Sequence, residues 1–187
     1  TNLDSSGGTI AITAGSADHP GNVTLAQNAL LDASGTSGGS ITIRGGQLSI
    51  ADATLSADTG NTKGARTAVD INVTGDLTIS DARGLPAITA RTVGTGDAGE
   101  VRISSANLNA TSSYDSLFPF ALIDTHTSGG GKGGDVSIAA AGNLTATGNS
   151  SNQMFFIDSG TTGLAEGTGG SVTITATSIA CRTMPTT

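Results

Sequence analysis

A short triplet, two β-branched residues around one small or polar residue, returns along this chain at intervals of 30 to 36 residues. Its copies are Ile10-Ala11-Ile12, Ile41-Thr42-Ile43, Ile71-Asn72-Val73, Val101-Arg102-Ile103, Val136-Ser137-Ile138 and Val172-Thr173-Ile174. Four copies follow paired glycines, Gly7-Gly8, Gly38-Gly39, Gly133-Gly134 and Gly169-Gly170, and Gly99 stands alone before Val101. A second apolar pair trails each copy: Val23/Leu25, Leu48/Ile50, Leu77/Ile79, Leu108/Ala110, Leu144/Ala146 and Ile179/Cys181. A third trails the first five: Leu31/Ala33, Leu55/Ala57, Ile88/Ala90, Ile123/Thr125 and Ile157/Ser159. Period-two alternation in each segment predicts strands, and a repeat of this length predicts a solenoid.

Three short strands cannot enclose a core alone. Stacked at about 4.8 Å, each pairs with its equivalent in the next coil, and the apolar residues become continuous inner columns. The predicted fold is therefore all-β: a right-handed, single-stranded parallel β-helix of about six coils with three short strands each. The hand follows from the rule for parallel crossovers. Residues 1–187 form one repeat domain, with Gly-rich return loops over 58–68, 91–98, 126–134 and 160–170 and long insertions at 111–120 and 148–155. The polar residues before each second strand, Asn22, Gln47, Asp76, Asn107, Asn143 and Ser178, are expected to form a hydrogen-bonding ladder.

Composition alone argues the other way. With 28 glycines, 3% aromatic and 12% charged residues, the chain has the make-up of a disordered segment. Periodic β-branched residues decide for folding. A net charge of −7 with only eight Lys and Arg offers no basic stripe for a nucleic acid. Cys181 is the single cysteine, so no internal disulfide forms. No apolar run of about 18 residues exists to insert in a membrane. Starting at Thr1 without a basic and apolar leader, the chain reads as a mature or trimmed piece.

The runs Gly38-Gly39-Ser40-Ile41-Thr42-Ile43 and Gly96-Asp97-Ala98-Gly99-Glu100-Val101-Arg102-Ile103, with Leu48-Ser49-Ile50 and the turn Ala57–Gly60, carry a resemblance over almost the whole chain. They resemble the repeats of filamentous-haemagglutinin-like exoproteins of bacterial two-partner secretion. The resemblance implies a secreted, cell-surface β-helix used for adhesion, biofilm or contact with other cells. That family's amino-terminal secretion domain and any toxin tip are not recognisable, which implies a piece of the shaft or a small filament-forming relative.

Several strings suggest chemistry. Gly94-Thr95-Gly96-Asp97-Ala98-Gly99 and Gly129–Gly134 match a dinucleotide fingerprint, but each leads into a strand where that motif needs a helix. Lys132 precedes Gly133, which rules out a P-loop, and Gly130–Asp135 departs from a calcium nonapeptide by one position. Asp70, Glu100 and Asp135 each precede a first strand, so stacking predicts one acidic column. Solvent with Arg102 or Lys132 relieves its repulsion, or a hard cation binds. The solvated column is the favoured account, with no metal and no cofactor expected.

All five aromatic residues, Tyr114, Phe118, Phe120, Phe155 and Phe156, fall in one stretch. With Ile123 and Ile157 inward, alternation turns Leu122, Asp124, Phe156 and Asp158 outward. The two aspartates then stand one coil apart, with His126 nearby. This corner reads either as a satellite core pinning two long loops or as a groove for a glycan or receptor, formed by Tyr114, Phe118, Phe120, Asp124, His126, Phe156 and Asp158. Carboxylates about 5 Å apart also fit glycoside hydrolysis. Sequons at Asn22, Asn72, Asn109, Asn143 and Asn149 are what chance gives in a chain rich in Asn and Thr.

The expectation is a non-catalytic structural or adhesive rod segment of a secreted bacterial surface protein or extracellular fibre. The alternative is a carbohydrate- or receptor-binding adhesin using corner 114–158, and the third reading is a polysaccharide-cleaving β-helix enzyme. Partners would be a glycan, a host or neighbour-cell surface, a second copy stacked head to tail, or further coils of a longer chain.

Overall fold

Alternation fixes which residues point inward, and the inward residues fix how the coils stack. The computed structural model describes residues 2–60, 67–113, 121–148, 156–162 and 167–183, with no helix among them. Three six-stranded parallel sheets make up the solenoid. The first stacks Thr9–Thr13, Ser40–Gly45, Thr67–Val73, Glu100–Ser105, Val136–Ala140 and Val172–Thr175. The second stacks Val23–Ala26, Leu48–Ala51, Leu77–Asp81, Leu108–Ser112, Asn143–Gly148 and Ser178–Thr183. The third stacks Asn2–Asp4, Leu30–Asp32, Thr54–Ser56, Ile88–Thr89, Ala121–Asp124 and Phe156–Asp158. The chain is thus a parallel β-helix, as expected.

Its coil count differs slightly from the expectation. Five turns carry all three strands, from Thr9–Asp32 to Val136–Asp158. Asn2–Asp4 precedes them as a lone strand, pairing Leu3 with Leu31, and Val172–Thr175 with Ser178–Thr183 follows as a pair. Alternation could not reveal the first of these, because Leu3 is its only apolar residue.

Inner columns run the length of the rod. Ile41, Val69, Val101 and Val136 stack in the first sheet, Leu48, Leu77, Leu108 and Leu144 in the second, and Leu31, Leu55, Ile88 and Ile123 in the third. All are buried. Each such side chain contributes about 1.5–3 kcal/mol on leaving water. At the two ends the columns emerge: Leu3, Val172 and Ile179 are exposed.

One register differs from the sequence reading. Ile41 pairs with Val69 and Ile43 with Ile71, so the third triplet is Val69-Asp70-Ile71, two residues earlier than Ile71-Asn72-Val73. Val101 and Ile103 keep this register, and an irregularity between Glu100 and Val101 leaves Ala68 as one extra residue in the facing strand. Asp70 therefore leaves the proposed acidic column and lies within the strand, between Thr42 and Arg102. Each acidic candidate meets its own cation. Arg44 Nη2 is 2.5 Å from Asp70 Oδ2, Arg102 Nε 2.7 Å from Glu100 Oε1, and Lys132 Nζ 2.7 Å from Asp135 Oδ1.

The polar ladder forms in two runs, Asn22 to Gln47 and Asp76 to Ser178. Asn107 Nδ2 donates to Asp76 Oδ1 at 2.8 Å, its Oδ1 accepts from Asn143 N at 2.8 Å, and Ser178 Oγ donates to Asn143 Oδ1 at 2.7 Å. Asn22 Oδ1 accepts from Gln47 N at 3.1 Å. The return loops stack as well, which explains the two nucleotide-like glycine strings. A Cβ on Gly129 would lie 1.7 Å from the Gly94 carbonyl oxygen, and one on Gly134 1.9 Å from that of Gly99. Coils this close admit only glycine there.

Candidate functional site

The third sheet ends at a corner where the chain turns into its return loop. Strand register there stacks Asp32, Ser56, Thr89, Asp124 and Asp158 in one column. The next residues, Ala33, Ala57, Ala90, Thr125 and Ser159, point inward and are buried. Beyond them lie Ser34, Asp58, Arg91, His126 and Gly160. Their stacking is fixed by backbone bonds from Thr59 N to Arg91 O (2.8 Å), Thr92 N to His126 O (3.2 Å) and Thr127 N to Gly160 O (3.1 Å).

Aspartate has a local reason to occupy the first column. Oδ1 of Asp32, Asp124 and Asp158 accepts the N–H two residues on, from Ser34 (2.9 Å), His126 (3.1 Å) and Gly160 (2.8 Å). These bonds close the same tight turn in three coils. An inner threonine column continues the corner: Thr59, Thr92 and Thr127 are buried, and Thr59, Thr92, Thr127 and Thr161 are bridged in parallel. That column was not anticipated, since threonine gives no apolar signal.

Together the two outward columns make a ladder of charge. Arg91 donates to Asp58 Oδ2 through Nε (3.1 Å) and Nη2 (2.9 Å), and its Nη1 lies 3.8 Å from Asp124 Oδ2. His126 Nδ1 is 2.6 Å from Asp124 Oδ1. One ligand atom from each of Asp124, His126 and Asp158 lies within 4.8 Å of the others. Asp124 is 7% exposed, while His126 and Asp158 are half-buried. Such a trio can accept hydrogen bonds from hydroxyls or offer an imidazole nitrogen and two carboxylates to a cation.

Of the expected corner, the structure brings together Asp124, His126 and Asp158. Tyr114, Phe118 and Phe120 lie outside the described residues, as does the side chain of Phe156, whose backbone pairs with Ala121. Leu122 corrects the expectation of an outward residue: it is fully buried and joins the core. The strand is irregular between Ala121 and Ile123, so simple alternation fails there, and all four of its residues are buried. Asp58 and Arg91 were not anticipated as part of the site. Coil spacing would have found them, because they lie 33 residues apart and Asp124 follows Arg91 by the same interval.

Asp70, Glu100 and Asp135 stand on a different face, each paired with a basic neighbour. Asp135 Oδ1 accepts from both Lys132 Nζ and Ser171 N at 2.7 Å, and these bonds hold its carboxyl below the ordinary carboxylate range. Comparisons of the chain with protein-family models, with curated proteins and with solved structures gave no match.

Proposed function

We propose that this chain is a structural or adhesive segment of a β-helical rod, non-catalytic, belonging to a secreted bacterial surface protein or extracellular fibre. What supports the reading is the way the coils hold together. Each strand pairs only with equivalents in neighbouring coils, and the inner columns emerge exposed at Leu3 on one end and at Val172 and Ile179 on the other. Such ends accept another coil, either from the same chain or from a second copy stacked head to tail. The resemblance of the Gly-Gly-Ser-Ile-Thr-Ile repeats to filamentous-haemagglutinin-like exoproteins agrees with this reading. Light scattering followed by negative-stain electron microscopy tests it. Fibres one solenoid wide support assembly as the function. A monomer that cleaves polysaccharide, and loses that activity on Asp158→Asn, overturns it.

The convergence of Asp124, His126 and Asp158 favours a second reading, an adhesin whose corner 114–158 holds a glycan or receptor. Carboxylates on stacked strands accept hydroxyl hydrogen bonds at fixed spacing, and aromatic faces contact sugar C–H groups.

A further inference from the structure

We propose that Asp124, His126 and Asp158 form a binding site for one divalent transition-metal ion of the zinc class. The three side chains come from adjacent coils and share one outward corner. Asp124 and Asp158 are register partners on strands Ala121–Asp124 and Phe156–Asp158. His126, two residues past Asp124, turns Nδ1 onto the Asp124 carboxylate at 2.6 Å. One ligand atom from each lies within 4.8 Å of the other two. Ligands on a tetrahedral ion at about 2.0 Å sit about 3.3 Å apart, so rotation of half-buried side chains closes the set.

Charge points the same way. Three carboxylates, Asp58, Asp124 and Asp158, line this corner, and Arg91 is the one fixed cation beside them among the described residues. Arg91 is committed to Asp58 through two hydrogen bonds and only approaches Asp124, at 3.8 Å. Asp158 has no cationic partner among the described residues; its Oδ1 accepts from Gly160 N. Leaving the imidazole aside, three carboxylates against one guanidinium leave an excess of two negative charges, which a divalent ion balances.

The donor set selects the ion. An imidazole nitrogen with two carboxylates suits zinc, cobalt or nickel, whereas calcium takes six or more oxygens. Nδ1 serves as the ligand with the ring proton on Nε2, and the ion then sits between Nδ1 and the Asp124 carboxylate.

Titration calorimetry of the whole chain with Zn2+ alone tests the site, in a Cys181→Ser background that removes the exposed thiol. Expected is one ion per chain, not displaced by excess Ca2+. Binding should weaken at least tenfold in His126→Gln and in Asp158→Asn, and stay unchanged in His19→Gln, the only other histidine. No binding by the folded chain overturns the proposal, and so does binding that both site variants leave intact. If either variant fails to fold, the parent chain still decides. Its imidazole resonances, assigned with the His19→Gln variant, must shift at His126 on adding Zn2+, and a shift confined to His19 overturns the site.

Discussion

Arg91 grips Asp58 across one coil spacing through both Nε and Nη2, at 3.1 and 2.9 Å, while Asp58 Oδ1 accepts the Arg91 backbone N–H at 2.8 Å. A planar guanidinium makes this fork and an ammonium cannot. Arg91→Lys should therefore keep the charge yet lower stability by about 1 kcal/mol, read as a drop of roughly 2–4 °C in thermal midpoint. Raising the salt concentration should shrink the difference. Equal midpoints at low salt would mean that the fork contributes nothing.

Gly134 and Gly60 should respond differently to the same substitution. A Cβ on Gly134 meets the Gly99 carbonyl oxygen at 1.9 Å, while one on Gly60 meets nothing closer than 3.7 Å among the described residues. Gly134→Ala should destabilise by about 3 kcal/mol, and Gly60→Ala should be near neutral. Urea unfolding of both variants checks this, with the shift in midpoint expected for Gly134→Ala alone.

Acid should remove one identifiable contribution. Hydrogen bonds from Lys132 and Ser171 lower the Asp135 carboxyl in the folded chain. A depressed folded value stabilises above the unfolded value, near 3.9, and the gain disappears as pH falls through the folded one. The parent should melt higher than Asp135→Asn at neutral pH, and the two should converge as pH falls below about 4. The group is nearly half exposed, so the gap should be small and should narrow with added salt. A gap that widens in acid would contradict the sign.

If the corner holds a glycan or receptor, Phe120→Ala and Phe156→Ala should each weaken binding to a glycan array or to cells at least tenfold. The circular dichroism of the rod should not change. Binding that survives both changes would remove the aromatic part of that reading.

Most of the architecture was legible because apolar columns need only alternation and a constant interval. Leu48/Ile50 and Leu77/Ile79, for instance, fall into register where the interval places them. Ambiguity entered where Val69-Asp70-Ile71-Asn72-Val73 holds two overlapping triplets. Packing chose Val69/Ile71 and left Val73 as an extra buried residue beside Gly45. Leu122 was misjudged because alternation assumes one wet face, and this strand is buried on both. Of the site, Asp124, His126 and Asp158 were found by the same stacking logic. Asp58 and Arg91 were missed because stacking was applied to residues of like charge and not to an acid and a base one coil apart.

Backbone bonds between neighbouring coils carry a consequence for how the rod comes into being. Ala33 N reaches Ser56 O, Ala57 N reaches Thr89 O, Ala90 N reaches Asp124 O and Thr125 N reaches Asp158 O, so each coil borrows its partners from the next. A lone coil has almost nothing to hold it, and the first stable nucleus must span two or three. Growth from there resembles a crystal face accepting successive layers, each copied from the layer beneath. A defect in one layer, such as a side chain where Gly134 meets Gly99, would then slow propagation at that height and weaken every layer laid down beyond it.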